Sequence, residues 1–364
     1  MGRPWPTLTA IVAALILVVS AGAANFGLPV VEGPANDRVG LSTSTVWLPA
    51  AEGYRYLRAA REGGITWVRE DFAWSTIEPS RGQFRWLRTD ALMRNAARLG
   101  IKVLAIAGYS PGWASGHNES DKYPPRSTAD YARFVKAIAD RYGRNGIFWR
   151  SQPKLTPSPV TAIELWNEPW LADFWKPAPD ATAYARLVRA AASAVKLTRP
   201  GMTILVSGDV PEESTGVGVE WFKTLLLADP PLWQSRLVDA WSVHLYCHEL
   251  SPWDATSTQR ARFDRILLTR RLAQDALADK PIWITEFGWR TDPGQPDAVD
   301  EQTQARYMRE ALARIDTEWR SFVRRSFVFT WAKPSPTDEY NLLRPDGSSR
   351  PAWQAIQAFI SRGA

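Results

Sequence analysis

The chain has 364 residues, a formal net charge of +6 and 45% hydrophobic residues, the balance of a folded globular protein, so disorder is not expected. This length suits one large domain or two ordinary ones. No arginine- or lysine-rich block is present, which argues against nucleic-acid binding, and the only cysteine, Cys247, excludes an internal disulfide.

The first element in chain order is a targeting segment. Arg3 supplies a positive start, Leu8 to Val19 (LTAIVAALILVV) an apolar core, and Ser20 to Ala24 (SAGAA) small residues with Ala21 and Ala23 in A-x-A spacing. This is the pattern of a signal peptide. The apolar run falls short of the roughly 20 residues a spanning helix needs, and an uncleaved membrane anchor is the alternative. An exported location, periplasmic or extracellular, follows as the expectation, and residues 1–24 are set apart from the fold.

The remainder alternates short apolar runs with helical patterns. Strands are predicted around Arg38–Leu41, Ile65–Arg69, Lys102–Ala107, Ala162–Trp166, Met202–Ser207, Val238–Leu245, Ile282–Thr285 and Phe327–Trp331. Between them, STADYARFVKAIADRYG opens with Ser127 as N-cap and Asp130 three residues on, a variant of the capping box. It places Tyr131, Phe134, Val135, Ile138 and Tyr142 on one face and closes at Gly143. ATAYARLVRAAASAVKLTRPG and EQTQARYMREALARI have the same helical spacing.

Eight strand–helix units predict an α/β fold, a single (β/α)8 TIM barrel over residues 25–364. A doubly wound open sheet is the competing fold, but no G-x-G-x-x-G turn follows the first strand. RSQPKLTPSP, from Arg150 to Pro159, reads as a loop and not as a domain boundary.

A barrel carries its chemistry where the strands end. Strand four, in VTAIELWNEPW, ends in Asn167 and Glu168, with Pro169 stopping it; strand seven, in PIWITEFGW, ends in Glu286. Two converging carboxylates suit glycosidic bond cleavage, one protonated to help the leaving oxygen depart and one ionised to attack the anomeric carbon. They need different surroundings. Arg69, in ITWVRED, is the candidate cation that keeps Glu286 ionised, and Tyr246, in VHLYCH, a candidate hydrogen-bond donor to it. Trp166, Pro169 and Trp170 offer Glu168 a less polar setting.

LWNEP together with ITEFGW resembles the paired signatures of the retaining β-glycosidases of clan A, which are (β/α)8 barrels. The resemblance extends over WVREDFAWSTIEPSRGQFRW (67–86), YSPGWAS (109–115), HLY (244–246), Trp331 and RPDGSSRPAW (344–353). Two of these elements are most similar to glycoside hydrolase family 39 and its exopolysaccharide-degrading relatives, with family 5 next. The resemblance implies Glu168 as acid/base and Glu286 as nucleophile. It further implies Asn167 at the sugar 2-hydroxyl, Arg69 and Tyr246 holding Glu286, His244 lining the same subsite and Trp331 as the sugar-stacking floor, with Asp71 and Trp74 nearby. Where many family 5 enzymes have a histidine near the end of strand three, AGYSPGW has Tyr109 and Trp113, which argues against a family 5 cellulase.

His244 and His248 have the i, i+4 spacing of helical zinc ligands, with Glu249 adjacent. In a strand that spacing separates them by over ~12 Å, so no metal and no cofactor is expected. A non-catalytic carbohydrate-binding barrel is the alternative function. It would keep the aromatic residues and lose a carboxylate or its support. Nineteen tryptophans exceed what burial usually requires and suit sugar stacking as well as core packing. The long loops after strands three and four carry Trp113, Tyr123, Trp170, Phe174 and Trp175, which fits an endo-acting cleft on a β-linked polysaccharide or oligosaccharide. An exo-acting, xylosidase-like pocket is the alternative.

Overall fold

The computed structural model of the protein describes residues 35–210, 217–258, 261–332 and 340–362. Eight parallel strands pair in chain order and the last closes on the first: β1 (Val39–Thr43), β2 (Trp67–Ala73), β3 (Lys102–Gly108), β4 (Ala162–Leu165), β5 (Thr203–Ser207), β6 (Ala240–His244), β7 (Ile282–Phe287) and β8 (Val323–Trp331). Around them run α1 (Ala50–Glu62), α2 (Leu87–Leu99), α3 (Thr128–Tyr142), α4 (Ala181–Thr198), α5 (Val217–Ala228), α6 (Ile266–Asp275), α7 (Glu301–Thr317) and α8 (Pro351–Arg362). The fold is the expected single (β/α)8 barrel. β2 begins at Trp67, not Ile65, and continues to Ala73, because Glu70, Asp71 and Phe72 pair in register with Ala105, Ile106 and Ala107 of β3. Sheet pairing overrides the low strand preference of two acidic residues.

The inward-facing residues form layers. At the base, Trp67, Leu104, Ala162, Leu205, Ala240, Trp283 and Phe327 make an apolar plug, one from each of seven strands. The remaining strand, β1, contributes Gly40, where a Cβ would lie 2.7 Å from the Phe327 ring and 2.9 Å from the Trp67 carbonyl, so only glycine lets the rings close. Two residues further along the strands, the layer turns polar: Ser42, Arg69, Glu164, Ser242 and Thr285 are all buried there. An apolar plug under a polar layer sets a dry, charged floor beneath the mouth.

Side chains of opposite parity face the helices. Glu70 is buried among them and accepts hydrogen bonds from the hydroxyls of Thr43 and Thr45 and the backbone N–H groups of Thr45 and Val46, tying the loop after β1 to β2. In α3 the residues Tyr131, Phe134, Val135, Ile138 and Tyr142 are buried as their spacing predicts. The capping box does not form: the Ser127 side chain makes no cap bond, and Asp130 pairs with Arg81 at 2.6 Å, because the first turn of α3 packs against the loop after β2. α4 and α7 are capped by Asp180 and Asp300, which accept from the N–H groups of Ala183 and Thr303.

Fourteen of the nineteen tryptophans are buried, so their abundance is chiefly a property of the core. Among the described residues no helix is long and apolar enough to cross a membrane; the expected targeting segment lies outside them.

Candidate active site

β4 delivers its residues to the mouth through a sharp reversal. Trp166 and Glu168 both adopt left-handed backbone (φ 67° and 45°), a conformation that costs a side-chain-bearing residue roughly 1–2 kcal/mol. The turn is held from both sides. The Trp166 backbone N–H donates to Ala107, its indole N–H donates to the Phe174 carbonyl, and its ring packs edge-on against Tyr109 and Trp175. With Trp166 pinned inside, Asn167 and Glu168 are carried over the barrel.

β7 uses a different device. Its pairing with both neighbours slips near its end, so that two successive residues, Thr285 and Glu286, reach interior partners. Thr285 donates to Glu164 at 3.0 Å, while Glu286 meets Arg69 at 2.5 Å and receives the Tyr246 hydroxyl at 2.5 Å.

Arg69 is the hub. Its Nε donates to Glu164 (2.6 Å), Nη1 to Glu286 and Nη2 to the Asn167 amide oxygen (2.7 Å), with 1% of the residue exposed. Burial opposes its charge, but the fields of Glu164 and Glu286 outweigh burial and keep the guanidinium firmly protonated. His244 completes the cluster. Its Nδ1 lies 2.7 Å from Glu168 Oε1 and 3.6 Å from Glu286 Oε2.

The two carboxylates are biased in opposite directions. Glu168 is raised above the ordinary glutamate value by burial, which outweighs the pull of His244. Glu286 is also buried, but His244, Arg69 and the Tyr246 hydroxyl more than compensate and hold it below that value. For His244, burial is overcome by Glu286 and Glu168, and its pKa is pushed up to about 9, so it carries a proton at neutral pH. One protein environment thus favours an acid and a carboxylate side by side.

Over residues 110–355 the chain matches the family model described as "Glycosyl hydrolase catalytic core". It belongs to that family. This glycoside hydrolase also matches, over residues 49–144, a model described as "Beta-galactosidase". No curated protein matches the chain. Among solved structures it is similar to a family 39 glycoside hydrolase from the gut symbiont Bacteroides cellulosilyticus WH2, with a TM-score of 0.65 and 20% identity over 91% of this chain; the chain spans 65% of that protein's length. It is also similar to an endo-beta-1,4-glucanase from Xanthomonas axonopodis pv. citri carrying a triple mutation (TM-score 0.58, 14% identity, 90% of this chain and 99% of the other). Xylanase 10B from Thermotoga maritima is a further neighbour (TM-score 0.58, 15% identity, 90% and 96%). At these identities the neighbours show the shared barrel.

Of the site residues expected in this hydrolase, Glu168, Glu286, Arg69, Asn167, His244 and Tyr246 meet in one hydrogen-bonded cluster. The aromatic expectations need correction. Trp331 is not at the mouth. It is 3% exposed, packs on Trp353 at 4.5 Å and donates its N–H to Tyr56. The reason is a slip in register: Ser42 pairs with Phe329 but Thr43 with Trp331, and the extra residue turns Trp331 to the helix side. Phe329 is the half-buried ring that remains inside, edge-on to Tyr246 at 6.0 Å. Trp170 is core, 5% exposed. Trp113 packs edge-on to Trp74 and donates to the Glu78 carbonyl. Trp74 is itself fully buried, with its N–H on Glu78.

The zinc-like pair does not assemble, since His248 turns to Asp297 at 3.2 Å on the rim. Glu168, His244 and Glu286 are close enough to hold a metal ion. Yet the protonated imidazole and the neighbouring guanidinium already supply the positive charge there, which makes this donor set a poor fit for a cation.

Sequence reasoning missed Glu164, although an acidic residue inside the apolar run AIEL was a usable signal. It also missed the pair behind His244 and Tyr246. Buried Arg265 donates to the carbonyls of both, and Asp209 accepts the His244 backbone N–H at 3.0 Å and pairs with Arg265 at 3.4 Å. No local pattern announces that clamp. At the rim, Trp47 is 41% exposed and donates to Asp71 at 3.1 Å.

Proposed function

We propose that this glycoside hydrolase is a retaining, endo-acting β-glycosidase of clan A, nearest in character to family 39, with Glu168 as acid/base and Glu286 as nucleophile. The observation that carries the reading is an upper bound on how far apart the two carboxylates' facing oxygens lie. An oxygen from each carboxylate and a ring nitrogen of His244 all lie within 4.8 Å of one another. Retaining enzymes hold their carboxyl groups about 5–5.5 Å apart, whereas inverting ones leave about 6.5–9.5 Å for a water.

In the first step Glu168 gives its proton to the glycosidic oxygen while Glu286 attacks the anomeric carbon, forming a glycosyl-enzyme. In the second, Glu168, now a carboxylate, takes a proton from water as that water displaces Glu286. Arg69 and Tyr246 keep Glu286 ionised and aimed. Asn167, held by Arg69, faces the sugar 2-hydroxyl, and Phe329 lies under the ring in place of Trp331. Trp47 beside Asp71 offers a platform for a further sugar unit, which supports a cleft over a closed pocket. The targeting segment supports an exported enzyme that meets a polysaccharide outside the cytoplasm, with residues 1–24 either removed as a signal peptide or kept as an anchor.

The test is hydrolysis of a panel of β-linked polysaccharides by the protein and by Glu286→Ala, following anomeric configuration by NMR and product lengths by chromatography. Retained configuration and internal cleavage, both lost in the variant, are the expected result. Inverted products, or an unimpaired variant, would sink the assignment. Recovery of the full-length chain from the cytosol would end the export proposal.

A further inference from the structure

Cations dispersed in sequence are gathered at one end of the barrel. The connections leading into β3, β4, β5 and β8 (94–102, 141–161, 196–203 and 320–325) contain twelve lysines and arginines and no aspartate or glutamate. All four lie at the N-terminal ends of the strands, opposite the mouth. The other four connections at this end (35–38, 61–66, 229–239 and 275–281) carry six acidic and four basic residues, so the cations are concentrated on the part of the base formed by the connections into β3, β4, β5 and β8. Six of the twelve, Lys102, Arg141, Lys196, Arg199, Arg320 and Arg325, are ion-paired with aspartates. Arg98, Arg144, Lys154 and, in the connection into β6, Arg236 are exposed and have no acidic partner among the described residues.

The same end exposes large apolar side chains. Leu197, Leu227 and Leu277 are 84%, 78% and 79% exposed, at the C-terminal ends of α4, α5 and α6. These helices run antiparallel to the strands, so all three leucines sit at the basal end. Leu197 lies within the basic connection into β5, while Leu227 and Leu277 border the connections into β6 and β7, which also carry Asp229, Asp239, Asp275 and Asp279. Ile147, 51% exposed, lies within the basic connection into β4. The described chain also enters the barrel here, through a short helix (Ala35–Arg38) into β1. The apolar run Leu8–Val19 precedes that entry by some twenty residues, a reach of at most roughly 70 Å.

We propose that this basal face docks on an anionic lipid surface, with the active-site mouth directed away from the bilayer. Lysine and arginine next to exposed leucines are the composition of a surface that takes acidic headgroups and seats apolar side chains at the acyl boundary. A soluble polyanion would use the cations and leave the leucines without a role. Docking by the base leaves every residue of the Glu168–Glu286 cluster untouched, so the proposal stands apart from the proposed hydrolytic mechanism.

The experiment is co-sedimentation of the full chain with phosphatidylglycerol and with phosphatidylcholine vesicles at low and high salt. Residues 1–34 carry one cationic side chain, Arg3, and one anionic, Glu32, and so have no net side-chain charge, which makes a preference between the two lipids a report on the cations of the base. The expected result is preference for phosphatidylglycerol that falls on the order of tenfold or more in high salt and in Arg98→Glu/Arg144→Glu/Lys154→Glu/Arg236→Glu. Leu197→Ser/Leu227→Ser/Leu277→Ser should also weaken binding. Circular dichroism of both variants, matched to the parent, shows that the fold is kept. Equal partition onto the two lipids, or full preference in the four-charge variant, overturns the proposal. So does binding to an acidic polysaccharide such as alginate with no dependence on the leucines.

Discussion

His244 Nδ1 lies 2.7 Å from Glu168 Oε1, and the imidazolium therefore sits against the group that must hold a proton. Its charge stabilises both carboxylates in their ionised forms. With Glu286 below and Glu168 above the ordinary glutamate value, kcat/KM should be bell-shaped. The acid limb follows protonation of Glu286 and the alkaline limb loss of the Glu168 proton. His244→Gln removes the positive charge, so both groups become harder to ionise and the bell moves to higher pH. A pH–rate profile of the variant checks this; an unmoved or lowered optimum contradicts it.

Glu168→Gln separates the two chemical steps. Roughly 10²–10⁴-fold should be lost in kcat/KM on natural glycans, whose leaving groups need the proton. Aryl glycosides with acidic phenols should lose far less in the first step, and added azide should raise turnover by replacing the water that needs a base. Equal losses on both substrate types would remove Glu168 from the acid/base role.

The buried Arg69–Glu164 pair supports the site from below. Glu164→Leu leaves Arg69 short of one partner in a dry layer, where breaking an ion pair costs about 3–5 kcal/mol. Glu164→Gln keeps an acceptor for Arg69 but removes a charge, so the full field of Arg69 falls on Glu286. Its acid limb should move to lower pH while the fold survives. Thermal unfolding and pH profiles of the two variants separate these effects.

Arg265 holds the carbonyls of His244 and Tyr246, whose side chains touch both carboxylates. Arg265→Met should lower stability by about 3–5 kcal/mol by leaving Asp209 buried and unpaired. Adding Asp209→Leu should restore much of that stability without restoring kcat/KM, because the backbone of 244–246 stays unclamped. Recovery of both together would make the pair purely structural.

The order of strands was legible because each is an apolar run ended by a turn, and buried parallel strands have little else to be. Placing Glu168 at a strand end was legible for the same reason, since Asn-Glu-Pro interrupts such a run. What pattern reading could not reach were one-residue slips. A slip in β7 lets Thr285 and Glu286 both find interior partners, and a slip in β8 turns Trp331 out. Register is decided by packing between strands far apart in sequence, and a single strand read alone keeps its alternation. Arg265 and Asp209 were hidden likewise, being meaningful only through the backbone atoms they reach.

The slip in β8 yields the sharpest contrast between two aromatic residues. Phe329 faces the interior beside Tyr246 and Tyr340, with ring centroids 6.0 and 5.9 Å away, while Trp331 is sealed against Trp353. Phe329→Ala should lower kcat/KM roughly tenfold, the equivalent of about 1.4 kcal/mol of lost stacking, with a small change in Tm. Trp331→Ala should instead destabilise the barrel by about 3–5 kcal/mol through the cavity it leaves, with kcat/KM per folded molecule preserved. Denaturant titration alongside kinetics distinguishes the two. If Trp331→Ala proved the catalytically impaired variant and Phe329→Ala the silent one, the register at the end of β8 would have to be the regular one, with Trp331 facing the sugar.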